Sequence, residues 1–169
     1  MDAERLLTAL IGAFFGAAGW LVVGLYMQRR LHERQARNAA RAVYFELEVN
    51  RIDIDVAMRH GVFQSLGRSS FERLLPELAT WLSTDELQTM TRAYMSHAGY
   101  EQVRQDEEIP GPVRAALLQR LLEEHAVASD LLRRRAFSVR EAARLGRTEG
   151  GGSTAAVPEP RGAPGGARK

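Results

Sequence analysis

The chain has 169 residues, with 23 basic against 21 acidic side chains, a formal charge of +2 and no cysteine. This leaves room for one modest domain and excludes a disulfide framework, a thiolate zinc site and a cysteine nucleophile. The near balance of charge gives no strong field for nucleic acid, and none is expected as a partner. An Arg-, Ala- and Gly-rich composition with Lys169 as its one lysine reads as a GC-rich bacterial genome.

After a flank over residues 1–5, the run from Leu6 to Met27 carries no charge. As a helix it is about 33 Å long, enough for a hydrocarbon core of about 30 Å, and Tyr26 stands where an interfacial aromatic belt is expected. A transmembrane helix over 6–27, integral in membrane lipid, is predicted. A cleaved signal peptide fits less well. The flank is not basic, and the apolar Trp20-Leu21-Val22-Val23 would follow any cut at Ala17-Ala18-Gly19. Arg5 is alone before the run, whereas Arg29, Arg30, Arg34, Arg37 and Arg41 follow it. That bias predicts the N-terminus outside and the domain in the cytoplasm of a bacterium, single-pass in the cytoplasmic membrane. Arg29, Arg30, Arg34 and Arg37 form a juxtamembrane basic anchor for anionic headgroups. Gly12, Gly16 and Gly24 make a small-residue stripe on which another helix can pack.

Residues 28–145 read as a helical soluble domain. A long helix is predicted over 28–60, since no proline or glycine intervenes before Gly61. Ala42, Phe45, Val49, Ile52 and Val56 fall on one face at spacings of three and four, and Val43, Leu47, Ile54 and Met58 fall nearly opposite. A helix apolar on two sides has two things to pack against. Val43, Leu47, Ile54 and Met58 are the candidate oligomer face of a homodimer; the alternative is a central helix sandwiched within its own domain. Glu46, Asn50 and Asp53 lie between the stripes and read as a solvated boundary.

Ser69 with Glu72 has the spacing of a capping box and opens a short helix at about 70–82, which Pro76 should break or restart. Phe71 and Trp81 are its large apolar residues, expected to plug the open end of a bundle. Ser83 with Glu86 is a second box, opening a helix over 84–105 with Leu87, Met90, Tyr94 and Ala98 as its stripe. Pro112 opens the next helix, 112–136, with Leu117, Leu118, Leu121, Ala128 and Leu132 on one face. Ser138 with Glu141 opens a last short helix at about 139–145. From 146 to 169 the chain is Gly- and Pro-rich and is expected to be a disordered tail. Three long segments of similar length, the second acidic and the third basic, predict an all-α fold: an antiparallel three-helix bundle continuing the membrane helix.

Little of the sequence carries chemistry. No phosphate-binding loop, nucleophile elbow or Glu-x-x-His pair occurs. His97 and His125 fall at similar heights and His60 well away, so three histidines do not converge. His125 projects onto a leucine face and reads as a core histidine bonded to Tyr94 or an acid. No cofactor or metal is expected, and no residue is nominated for catalysis. Arg133, Arg134, Arg135 and Arg140 form the strongest charge run, suited to an acidic partner protein and lacking the aromatics that stack on nucleic acid. The expected function is a non-enzymatic, membrane-anchored interaction or scaffold module of a bacterial cell envelope, its protein partner unknown. The alternatives are an accessory subunit of a larger membrane enzyme or transporter, and a phage or mobile-element lysis-accessory protein.

Overall fold

Nothing between Met27 and Gly61 can end a helix, and α1 runs unbroken from Ala3 to His60. The computed structural model describes residues 3–150, and side-chain surroundings over 12–146. Gly61 terminates α1 with a φ of 68° while its amide bonds the Ala57 carbonyl at 2.9 Å. A residue with a Cβ would be strained in that left-handed conformation. There follow α2 (Ser69–Trp81), α3 (Thr84–Met95), α4 (His97–Gln105), α5 (Gly111–Ala136) and α6 (Val139–Gly150), and no strand occurs among the described residues.

Residues up to Phe137 form one compact unit, and the chain from Ser138 forms a second. In the second unit the Ser138–Glu141 capping box is made, with Ser138 N donating to Glu141 Oε2 at 2.8 Å and Glu141 N to Ser138 Oγ at 3.3 Å. Helix α6 runs through Gly146 to Gly150, past the expected end at Leu145. The rest of the expected tail, 151–169, lies outside the described residues.

Side-chain pairings set the direction of each rod in the first unit. Arg41 Nε donates to the Ala136 carbonyl at 3.0 Å, and Ile54 and Ala57 pack with Leu118 and Leu121, so α5 is antiparallel to α1. Tyr94 reaches Glu46 while Tyr100 and Val103 join Ile54 and Ala57, so α3 and α4 run parallel to α1. Helix α2 starts beside Glu46 and ends with Trp81 under the Arg135 guanidinium, 5.4 Å from the ring centroid. It therefore lies along α1 and does not plug an end. The result is an all-helical bundle whose rods alternate up, down, up and down, with α2 as a fourth rod where three were expected. Phe71 and Leu78, seven residues apart on one face, are what α2 buries. Pro76 sits inside α2 without breaking it, because it is exposed and the carbonyl it leaves free can face water.

Two further corrections concern α1 and α3. Val43, Leu47 and Ile54 are completely buried and Met58 is packed against the core, so the candidate oligomer face is the chain's own interior. The 84–105 helix is divided at Ser96, whose hydroxyl donates to the Ala93 carbonyl at 2.6 Å. Such back-bonding competes with the helical ladder and bends it. Beyond the break His97, Tyr100 and Val103 turn inward, while Ala98 is exposed.

Among the described residues no helix is long and apolar enough to cross a membrane. Of the expected span 6–27, the side chains of residues 6–11 lie outside those described. Residues 12–27 alone make about 24 Å of helix, short of a hydrocarbon core of about 30 Å.

Candidate functional site

A row of polar side chains, joined by hydrogen bonds and one ring contact, runs from α1 through α3 and α4 to α5. It begins at Glu46. Its Oε2 accepts from Ser70 N at 2.7 Å and its Oε1 from Phe71 N at 3.2 Å. Glu46 thereby caps the first turn of α2, where unbonded amides and the helix dipole favour an anion. The Ser69–Glu72 box expected there is not formed. Helix α2 has no side-chain cap of its own, and Glu72 pairs with Arg68 at 2.6 Å. One turn further along α1, the fully buried Asn50 clamps Gly67, donating to its carbonyl at 2.8 Å and accepting from its amide at 2.7 Å.

Glu46 Oε1 also accepts from Tyr94 Oη at 2.8 Å. The Tyr94 ring is stacked on Phe71 at 4.1 Å and tilted against His97 at 5.2 Å. His97 and His125 are buried and stacked, with Nε2 atoms 2.9 Å apart. The hydrogens on this pair follow from its neighbours. His125 Nδ1 lies 3.0 Å from the Leu121 carbonyl, which can only accept, so Nδ1 carries the hydrogen. His125 Nε2 is then bare and accepts from His97 Nε2–H. That leaves His97 Nδ1 as a buried lone pair with no hydrogen-bond partner.

This arrangement fixes the electrostatics. Burial pushes the Glu46 carboxyl up, but the bonds from Ser70, Tyr94 and Phe71 outweigh it and hold it below its ordinary value. Burial, then the bond to Glu46 and its charge, push Tyr94 up. Burial, then His125 and Arg68, bring His97 down to about 4, with Glu46 opposing. Burial also lowers His125, against the bond to Leu121. The pair is neutral near pH 7. Its chemistry is structural, since every nitrogen but His97 Nδ1 is used in a bond within the core. No group of three or more His, Asp or Glu side chains able to hold a metal ion occurs among the described residues.

A cleft of about 460 Å³ opens on the other side of the α3–α4 break, against α5. Tyr100, Val103, Leu118 and Leu121 line it, and Arg92, Arg120 and Glu124 stand at its margin, the last two paired at 3.2 Å. Gly99 lines it as well, and a Cβ there would meet nothing within 4 Å.

The residues singled out from sequence fare unevenly. A Cβ on Gly12, Gly16 or Gly24 would meet nothing within 4 Å, so that stripe is open. Arg29, Arg30, Arg34 and Arg37 are exposed, with Arg30 over the Tyr26 ring at 5.2 Å. The arginine run does not form a free patch. Arg133 and Arg134 both pair with Asp130, Arg135 pairs with Glu86 of α3 at 3.0 Å, and Arg140 belongs to the second unit. Glu46 and Asn50, read as a solvated boundary, are instead the joints between α1 and α2. The His97–His125 bond had one legible signal, their similar height. No protein-family model matches the chain, and comparison with curated proteins and with solved structures gives no match.

Proposed function

We propose that the chain is a single-pass, membrane-anchored interaction module of a bacterial cell envelope, non-enzymatic, with its bundle at the cytoplasmic face. One observation carries this reading. The helix that supplies the bundle's core also carries an uncharged apolar segment whose large side chains from Phe14 to Met27 are all more than half exposed, Trp20 by 79%. A continuous exposed apolar surface of that kind marks contact with lipid or another protein. The arginines that follow it favour a cytoplasmic bundle. The polar network is consumed in holding helices together, which suits a scaffold better than a catalyst.

The test is carbonate extraction of membranes from cells expressing the full chain. The chain should stay in the pellet, and Val22→Arg with Val23→Arg should release it. Recovery of the unaltered chain in the soluble fraction would overturn the anchor. Topology is read separately, from a single cysteine at Ser153 labelled by an impermeant maleimide only after permeabilisation. The second reading, an accessory subunit of a larger membrane enzyme or transporter, draws on the open stripe of Gly12, Gly16 and Gly24. A stoichiometric multi-span companion on purification would favour it.

A further inference from the structure

Helix α1 has two seams on opposite sides, and the bundle uses one of them. Ala36, Ala40, Val43, Leu47, Ile54 and Ala57 face the core. On the other side Phe45, Val49 and Ile52 are 53%, 57% and 63% exposed, flanked by the half-buried Ala42 and Val56. Ala42, Phe45, Val49, Ile52 and Val56 alternate at three and four residues, the spacing of a coiled-coil seam and narrower than the stripe a globular core needs.

The same register continues toward the N-terminus without a break. It passes through Asn38, Gln35, Leu31 and Gln28, then Gly24, Leu21, Ala17 and Phe14. The segment between Met27 and Ala42 is dense in charge, yet Arg29, Arg30, Glu33, Arg34, Arg37 and Arg41 all fall off this line. From Phe14 to Val56 no seam position is charged.

The polar seam residues say what covers it. Gln28, Gln35 and Asn38 would leave amides unpaired against an arbitrary apolar helix. In a parallel, in-register pair of identical helices each meets its own copy, and amide bonds amide across the axis. Two chains anchored the same way in one bilayer are already parallel. We infer that α1 pairs with α1 of a second copy as a parallel two-stranded coiled coil along the seam from Phe14 to Val56, with the two bundles facing outward.

The inference gives the interaction module its partner and rests on the anchor reading only for its membrane-proximal part. The chain has no cysteine, so single substitutions report cleanly. Val49→Cys and Ile52→Cys lie on the seam, Glu48→Cys lies beside it, and Arg51→Cys lies well round the helix on the side of His125. In membranes from cells expressing the full chain, mild oxidation should link Val49→Cys and Ile52→Cys at least about fivefold more than the other two, since seam positions alone bring Cα atoms within disulfide reach. Equal linking at all four positions, or none, would overturn the pairing. Carbonate extraction of the same membranes reads the anchor independently. A chain that pellets without linking loses the seam alone. A soluble chain that links at 49 and 52 loses the anchor and keeps the seam over Ala42–Val56. Val49→Cys and Ile52→Cys replace exposed side chains, and a helical circular dichroism spectrum confirms the fold of each variant.

Discussion

Tyr94 makes one hydrogen bond and three ring contacts, and its hydroxyl is the link between α3 and the carboxylate that caps α2. Tyr94→Phe keeps the ring stack and removes the bond, leaving Glu46 to its backbone donors. The expected loss is about 1–3 kcal/mol, read from the urea midpoint at pH 7. The histidine pair makes a prediction in pH. An unfolded histidine titrates near 6.5 and His97 in the fold near 4, so between those values the unfolded chain binds more protons. The contribution is therefore complete above about pH 6.5 and is lost as the pH falls toward 4, where it levels off. Its size is at most about 3 kcal/mol. His97→Gln, which can still donate to His125, should flatten the slope of Tm between pH 6.5 and 4. An unchanged slope would place the titration elsewhere.

At the scale of the helix, local and tertiary signals competed. The Ser83–Glu86 box forms both of its bonds, with Ser83 N to Glu86 Oε2 at 2.8 Å and Glu86 N to Ser83 Oγ at 3.3 Å. Ser83→Ala should cost about 1 kcal/mol in chemical denaturation. The Ser69–Glu72 box has the same spacing and does not form, because α2 starts one residue earlier: the Glu72 amide donates to the Arg68 carbonyl, and Glu46 from α1 accepts from Ser70 N and Phe71 N in place of a local cap. Glu46→Ala should therefore loosen α2 more than Ser69→Ala does. Limited proteolysis after Arg68 and Arg73 measures this. Pro76 costs α2 one intrahelical bond, so Pro76→Ala is expected to raise stability by about 1–2 kcal/mol without changing the fold. A loss of stability would mean that the proline shapes the packing against α1.

At the scale of the whole molecule, α1 is about 87 Å of helix that carries an exposed apolar segment, an arginine-rich stretch and one wall of the bundle. A rod without a hinge transmits its orientation, so a partner bound along its outer seam would fix the bundle relative to the apolar segment of α1. Helix α5 lies between α1 on one side and α3 and α4 on the other, and buries side chains along its whole length from Leu118 to Ala136. Leu132→Ala, at a fully buried position in it, should cost about 2–5 kcal/mol and lower Tm by several degrees.

The sequence by itself determined what depends on near neighbours. The helical class, the unbroken α1, its stop at Gly61, the boxes at Ser83 and Ser138, and the two apolar stripes of α1 all follow from spacing and from single residues. Tertiary structure alone decided which stripe is the core. Both are apolar at helical period, and only the approach of α5 buries Val43, Leu47 and Ile54 and leaves Phe45, Val49 and Ile52 outside. It decided the path of α2 as well, since Phe71 and Leu78 fit an end or a flank equally until Glu46 and Asn50 hold the α2 start against α1. The His97–Nε2 bond to His125 belongs to the same class. Residues 28 positions apart meet because Ser96 turns α4 inward, and no local periodicity records a contact made across a bundle.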